Sequence, residues 1–284
     1  MPETAQNSEN SGSTQNNGSI ENKGSPENIE NTEGRQETGG LQDAEDGSSG
    51  SGVPPAVKTL AFVLYPGITP LDLVGPLQVL SALSQFDPSF RTVVVAERIA
   101  ALPTDTPLSI AADHTFDQVR EPYAVIVPGG QVPTFAALAD ENLLAWLRHA
   151  AEHAEIMASV CTGSLILGAA GLLEGREATT HWACRHLLGR FGATPVTRRW
   201  VRDGPVITAA GVSAGIDLAL HLVERLAGEP AARLVQLVIE YDPEPPLGAL
   251  DWSGVDPAGQ APWIEQMIKT ALPDHPALVE RLTG

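Results

Sequence analysis

Short apolar runs closed by turn residues alternate along this chain with stretches whose apolar positions recur every three or four residues. Residues 60–65 are such a run, ended by Pro66-Gly67, and predict a buried first strand. Residues 69–83 then take helical spacing, with Leu71, Val74, Leu77, Val79, Leu80 and Leu83 as the apolar positions. Further strand-like runs fall at 91–95, at 124–127 before Pro128-Gly129-Gly130, and at 156–160. Asp140 is a good N-cap for a helix carrying Leu143, Leu144, Leu147 and Ala151. A helix of small residues is expected at 162–172, and residues 198–209 read as a hairpin with a primed turn at Asp203-Gly204. Helical spacing returns at 214–227, 231–241 and 262–270. Near-continuous apolar strands alternating with helices predict an α/β fold, a mainly parallel sheet covered on both faces. Ligands of such sheets bind beyond the carboxyl ends of the strands. Residues 67–72, Gly129-Gly130 and Cys161 all fall at that edge.

Composition divides the chain. Residues 1–54 contain almost no large apolar side chains, and ten acidic residues against Lys23 and Arg35 give them a net charge of −8. A segment so polar cannot bury enough surface to offset its ordering entropy, so a disordered acidic tail is expected there. It has neither the apolar run of a signal peptide nor the Arg-rich pattern of a transit peptide. Residues 55–284 are expected to form one α/β domain. No apolar stretch reaches the ~18 residues that span a membrane. Two cysteines, Cys161 and Cys184, make no disulfide framework, and a reducing cytoplasm is the expected setting. A formal charge of −18 argues against a nucleic-acid partner.

The candidate chemistry centres on Cys161. A strand running into a helix, with the thiol at the junction and Gly163 two residues on, has the form of a nucleophile elbow. The following helix N-terminus is expected to lower the thiol pKa; a packed structural cysteine is the other reading. Asp72 fits a capping box with Thr69 and Pro70, or an acid facing the Cys161 loop. His181 reads as a structural histidine or a general base. Gly130 and Thr162 supply backbone N–H groups for an oxyanion-type pair. The string from His149 to His153 resembles an inverted zinc-protease motif, but it reads as a solvated helix face with no third ligand in prospect, and no metal site is expected. Arg198, Arg199 and Arg202 read as an exposed edge, and Cys184 as packing in a helix that follows His181.

At these residues the chain resembles the ThiJ/PfpI superfamily. The resemblance runs over most of 57–272. It rests on residues 62–67 (FVLYPG), Val127-Pro128-Gly129-Gly130, Cys161-Thr162-Gly163, residues 171–176 (GLLEGR), residues 178–182 (ATTHW) and residues 208–217 (TAAGVSAGID). It implies a flavodoxin-like three-layer sandwich, shared with class I glutamine amidotransferases. Leu71-Asp72-Leu73-Val74-Gly75-Pro76 is similar to the branch that includes isonitrile hydratase. Carried over by position, the resemblance implies Cys161 as nucleophile, Asp72 as its acid partner and Thr162 and His181 beside them. It further implies a small-molecule substrate, no cofactor and a homodimer. Thr162 stands where a protease-like branch has histidine, so peptidase chemistry is not implied. Glyoxalase or deglycase chemistry, or oxidant or ligand sensing without turnover, are the alternatives that the same cysteine allows.

Overall fold

The first apolar run becomes an inner strand of a seven-stranded sheet in the computed structural model, which describes residues 56–284. The expected acidic tail lies outside the described residues. In chain order come β1 (Lys58–Val63), α1 (Pro70–Phe86), β2 (Phe90–Ala96), β3 (Ala101–Pro103), β4 (Ser109–Ala111), β5 (His114–Thr115), β6 (Ala124–Val127), α2 (Val132–Ala137) and α3 (Glu141–His153). Then follow β7 (Ile156–Ser159), α4 (Gly163–Ala169), β8 (Glu177–Ala178), β9 (Thr194–Pro195), β10 (Trp200–Asp203), β11 (Val206–Ala209), α5 (Ala214–Ala227), α6 (Glu229–Val238), α7 (Ala261–Ala271) and α8 (Pro276–Thr283). The main sheet has the order β10-β11-β7-β6-β1-β2-β5, with β10 alone antiparallel. It is a flavodoxin-like α/β sandwich: the alternation predicts the covered parallel sheet, and the family resemblance implies its flavodoxin-like form.

The central strands are apolar on both faces because helices cover both. Every residue of β6, β7 and β11 is buried. Helices α1, α5 and α6 pack together, while α4 packs on β6, β7 and α3. The hairpin forms, but its turn is shifted by one residue from the expected Asp203-Gly204: Asp203 pairs with Val206, and Gly204-Pro205 make the turn, with Gly204 (φ 62°) in the left-handed first position that a primed turn requires.

Three further local features differ from the sequence reading. Helix α4 stops at Ala169, and Gly171 (φ 84°) turns the chain away in the left-handed conformation that glycine adopts at least cost. The helix expected around Cys184 is a 3₁₀ segment, Trp182–Phe191. In α1, Leu71 and Val74 are exposed, whereas Asp72, Leu73, Pro76, Val79, Leu80 and Leu83 are buried. The helix is thus rotated so that a carboxylate, and not Leu71, faces the sheet edge.

Phe62 of β1 is fully buried, so Phe62→Ala is expected to cost about 3–5 kcal/mol in urea unfolding. Leu237→Ala, at a site 73% exposed, is expected to stay within about 0.5 kcal/mol of wild type. Comparable losses at both positions would contradict this placement of the core.

Candidate active site

Three strand ends bring three loops to one place: the loop after β1 with Asp72, the loop after β6 with Gly129 and Gly130, and the turn after β7 with Cys161. The contact between the last two is backbone on backbone. A Cβ on Gly129 would lie 2.5 Å from the Thr162 nitrogen, and one on Gly163 only 2.2 Å from the Val127 carbonyl oxygen. Glycine is needed at both positions for the loops to approach this closely.

Cys161 sits on the turn with φ 55°, a conformation that a non-glycine residue holds only when its surroundings enforce it. The surroundings do so through its own peptide groups. Its N–H donates to Ala210 O (3.0 Å), and its carbonyl accepts from Thr180 Oγ1 (2.9 Å) and Ser164 Oγ (3.3 Å). The backbone N–H groups of Val212 and Thr162 lie close enough to the sulfur to favour its charged form. Val212 is itself held at φ 21° in the loop after β11.

Asp72 is fully buried beside this thiol. Its Oδ2 accepts from the Gly129 N–H (3.0 Å). Its Oδ1 is buried with no conventional donor, and the Cys161 thiol is close enough to stabilise the carboxylate charge. The capping box expected at this helix start is not formed. Thr69 is the N-cap residue, but its hydroxyl donates to Asp105, and Asp72 points inward instead of back along the helix.

Burial governs the protons of the pair. It pushes the Asp72 carboxyl up to about 7, against the Gly129 N–H and the thiol, which favour the anion. Burial first and the Asp72 charge second push the Cys161 thiol well above its usual range. The expectation of a thiol activated by the following helix is therefore corrected. Helix α4 has only seven residues, and its N–H groups do not offset desolvation and a neighbouring carboxylate. In the free site the thiol is neutral, and the carboxylate is the group that titrates near neutrality.

The oxyanion-type pair expected from Gly130 and Thr162 is also revised. The Gly130 N–H donates to Thr162 Oγ1 (3.0 Å), and the same hydroxyl donates back to Gly130 O (2.8 Å). Both groups are engaged in fastening the two loops, and the Thr162 N–H serves the sulfur. His181 accepts at Nδ1 from the Ala183 N–H (3.4 Å), which caps the 3₁₀ segment and leaves Nε2 to carry the proton. Burial and nearby Arg185 hold its pKa below the usual histidine value. This favours the neutral imidazole at the cavity wall.

Gly130, Cys161, Thr162 and His181 line one cavity of about 330 Å³, with Asp72 behind the thiol. The far wall was not legible as a site: Phe135 of α2 and Trp263, Ile264 and Met267 of α7. A second compartment of about 470 Å³ adjoins it at His181 and Val212, bordered by Trp182, Arg185 and Trp252. Tyr65 was missed as well. Its hydroxyl donates to Pro128 O (3.0 Å) and pairs with Thr134 Oγ1 (2.9 Å), bracing the loop that carries Gly129. The signal available was a polar tip at the end of an otherwise apolar strand. Cys184 is buried as expected, yet it also lines the cavity, and burial pushes its thiol to about 12. The polar pair His149 and His153 does meet a third group, Glu121, contrary to the sequence reading.

A buried thiol and carboxylate on the strand-to-helix turn of a flavodoxin-like sheet define a class of cysteine-centred sites. A family profile described as "DJ-1/PfpI family" matches residues 58–225, and the chain belongs to that family. Isonitrile hydratase of Pseudomonas putida is 40% identical over 214 residues, which cover 75% of this chain and 90% of that protein. The crystal structure of a ThiJ/PfpI family protein from Pseudomonas syringae matches with a TM-score of 0.69 and 36% identity, covering 86% of this chain and 98% of that one. The HTH-type transcriptional regulator CdhR of Pseudomonas aeruginosa is 29% identical over 174 residues, and the match covers 60% of this chain and 51% of the regulator. No helix of the described residues is long and apolar enough to cross a membrane.

The Asp72 carboxyl ionises near 3.8 when unfolded and near 7 when folded, so between these values the folded chain binds more protons. Wild-type stability should therefore fall as pH rises through that window, by up to on the order of 4 kcal/mol. In Asp72→Asn that component is absent. Urea unfolding should find the variant more stable than wild type at about pH 8, with the gap closing near pH 4. A pH-independent difference would contradict the desolvated carboxyl.

Proposed function

We propose that this protein hydrates isonitriles to N-substituted formamides, with Cys161 as nucleophile and Asp72 moving the proton. The observation that carries the reading is the buried pairing of one thiol with one carboxylate that titrates near neutrality. The 40% identity to an isonitrile hydratase over most of both chains supports it.

The chemistry asks for what this pair supplies. The terminal carbon of an isonitrile must gain both a sulfur and a proton. Asp72, as carboxylate, takes the thiol proton while sulfur bonds to that carbon, and returns it to the same carbon, giving a thioimidate, R–N=CH–S–Cys161. Water then adds across the C=N bond, its oxygen to carbon and a proton to nitrogen. Collapse of the tetrahedral adduct forms the formyl C=O, breaks the C–S bond and returns the remaining hydroxyl proton to sulfur by way of Asp72. The product is R–NH–CHO, and the thiol is restored.

The cavity suits a small apolar reactant. The N–H groups of Val212 and Thr162 stabilise sulfur whenever it carries charge. His181 Nε2–H is available to the substrate nitrogen, and the second compartment, with its tryptophans, gives the substituent room. An oxidant-sensing role is less well served, because a neutral thiol only 4% exposed is a poor target for peroxide.

Formamide release from a panel of isonitriles, followed by mass spectrometry, is the test. Wild type should turn over, Cys161→Ala should not, and Asp72→Asn should lose about 10²-fold or more in kcat. In wild type kcat/KM should rise with pH through about 7 as the Asp72 carboxylate forms, and that limb should vanish in Asp72→Asn. Absence of turnover by wild type, with turnover of methylglyoxal instead, would replace this reading by glyoxalase chemistry.

A further inference from the structure

At the edge of the sheet where the strands begin, away from Cys161, three metal-ligating side chains converge. His149 and His153 stand one helical turn apart near the end of α3, with their ring centroids 5.0 Å apart. Glu121 reaches them from the loop that leads into β6. One nitrogen from each histidine and one Glu121 oxygen all lie within 4.8 Å of one another. His153 Nε2 and Glu121 Oε1 are 3.7 Å apart. That is too long for a hydrogen bond and close to the ~3.4 Å edge of a tetrahedron of ligands 2.0–2.1 Å from one ion.

The tautomer is set for the same purpose. His153 Nδ1 lies 3.2 Å from the carbonyl oxygen of His149, the arrangement in which Nδ1 carries the proton and donates it to that oxygen. This leaves the Nε2 lone pair facing Glu121. A backbone carbonyl holding the far nitrogen of a histidine is the usual way in which a metal-binding imidazole is oriented. Both histidines and Glu121 are reachable from solvent. The formal charge of −18 favours any cation approaching the surface.

We propose that His149, His153 and Glu121 bind one zinc-type divalent transition-metal ion, with water completing the coordination. Two imidazoles and one carboxylate select such ions over calcium or magnesium, which prefer all-oxygen shells. The ion fastens the loop before β6 to the end of α3. It thereby joins the starts of the two adjacent strands, β6 and β7, whose other ends carry Gly129 and Cys161. The ion is separate from the thiol site and stabilises the fold.

Zinc chloride titrated into the tag-free full-length chain by calorimetry tests this. Wild type should bind one ion per chain and show a raised Tm with zinc. His149→Ala and His153→Ala, at solvent-reachable positions whose folding circular dichroism checks, should each weaken binding at least about tenfold. Glu121→Gln should weaken it by less, and Cys161→Ala should bind as wild type does. Unchanged affinity in both histidine variants, loss of the ion in Cys161→Ala, or no binding by wild type would each overturn the proposal.

Discussion

Removing water from the space between Asp72 and Cys161 is the constraint on which the rest of the site depends. In water a carboxylate beside a thiol has little consequence, because each group is solvated and neither perturbs the other by much. Buried together they compete for charge, and the compensation comes from the thiol itself and from backbone N–H groups: Gly129 for the carboxylate, Val212 and Thr162 for the sulfur. Three loops must hold those donors in place simultaneously. The strained φ of Cys161, the Gly129–Thr162 backbone contact and the Tyr65 brace are all means of holding them.

Proton position follows from the same constraint. A carboxyl moved to about 7 is near balance between accepting and donating at neutral pH, which suits the two transfers that the proposed reaction asks of it. A permanently ionised thiolate would lack the proton that the substrate carbon requires. The high thiol pKa, which contradicts the simple expectation for an elbow cysteine, is thus consistent with addition chemistry, in which thiol and proton go to the same carbon. In the proposed reaction His181, engaged at Nδ1, leaves the acid–base work to Asp72.

The fold was largely legible in the sequence because apolar strands closed by Pro-Gly or Gly-Gly leave few alternatives to a covered parallel sheet. Asp72, Gly130 and Cys161 were legible as a group because residues 67–72, Gly129-Gly130 and Cys161 fall at strand ends on one edge, whereas Thr162 and His181 joined them by local placement and the family resemblance. What each does was less so. Thr69-Pro70-Leu71-Asp72 satisfies every local rule for a capping box, and only the rotation of α1 against the sheet shows that the carboxylate turns inward. The same holds for Gly130, whose N–H is spent on a hydroxyl 32 residues away in sequence. Glu121 was invisible as a ligand because it joins His149 and His153 only through the pairing of β6 with β7.

Helix α7 supplies Trp263, Ile264 and Met267 to the cavity from beyond residue 225, where the family match ends. The reactive pair and the wall that a substrate meets are therefore written in separate stretches of the gene. Substitutions in α7 can reshape the chamber while the thiol, carboxylate and their backbone donors stay as they are. The shape of the chamber and the thiol–carboxylate pair can thus be altered independently of each other in this chain.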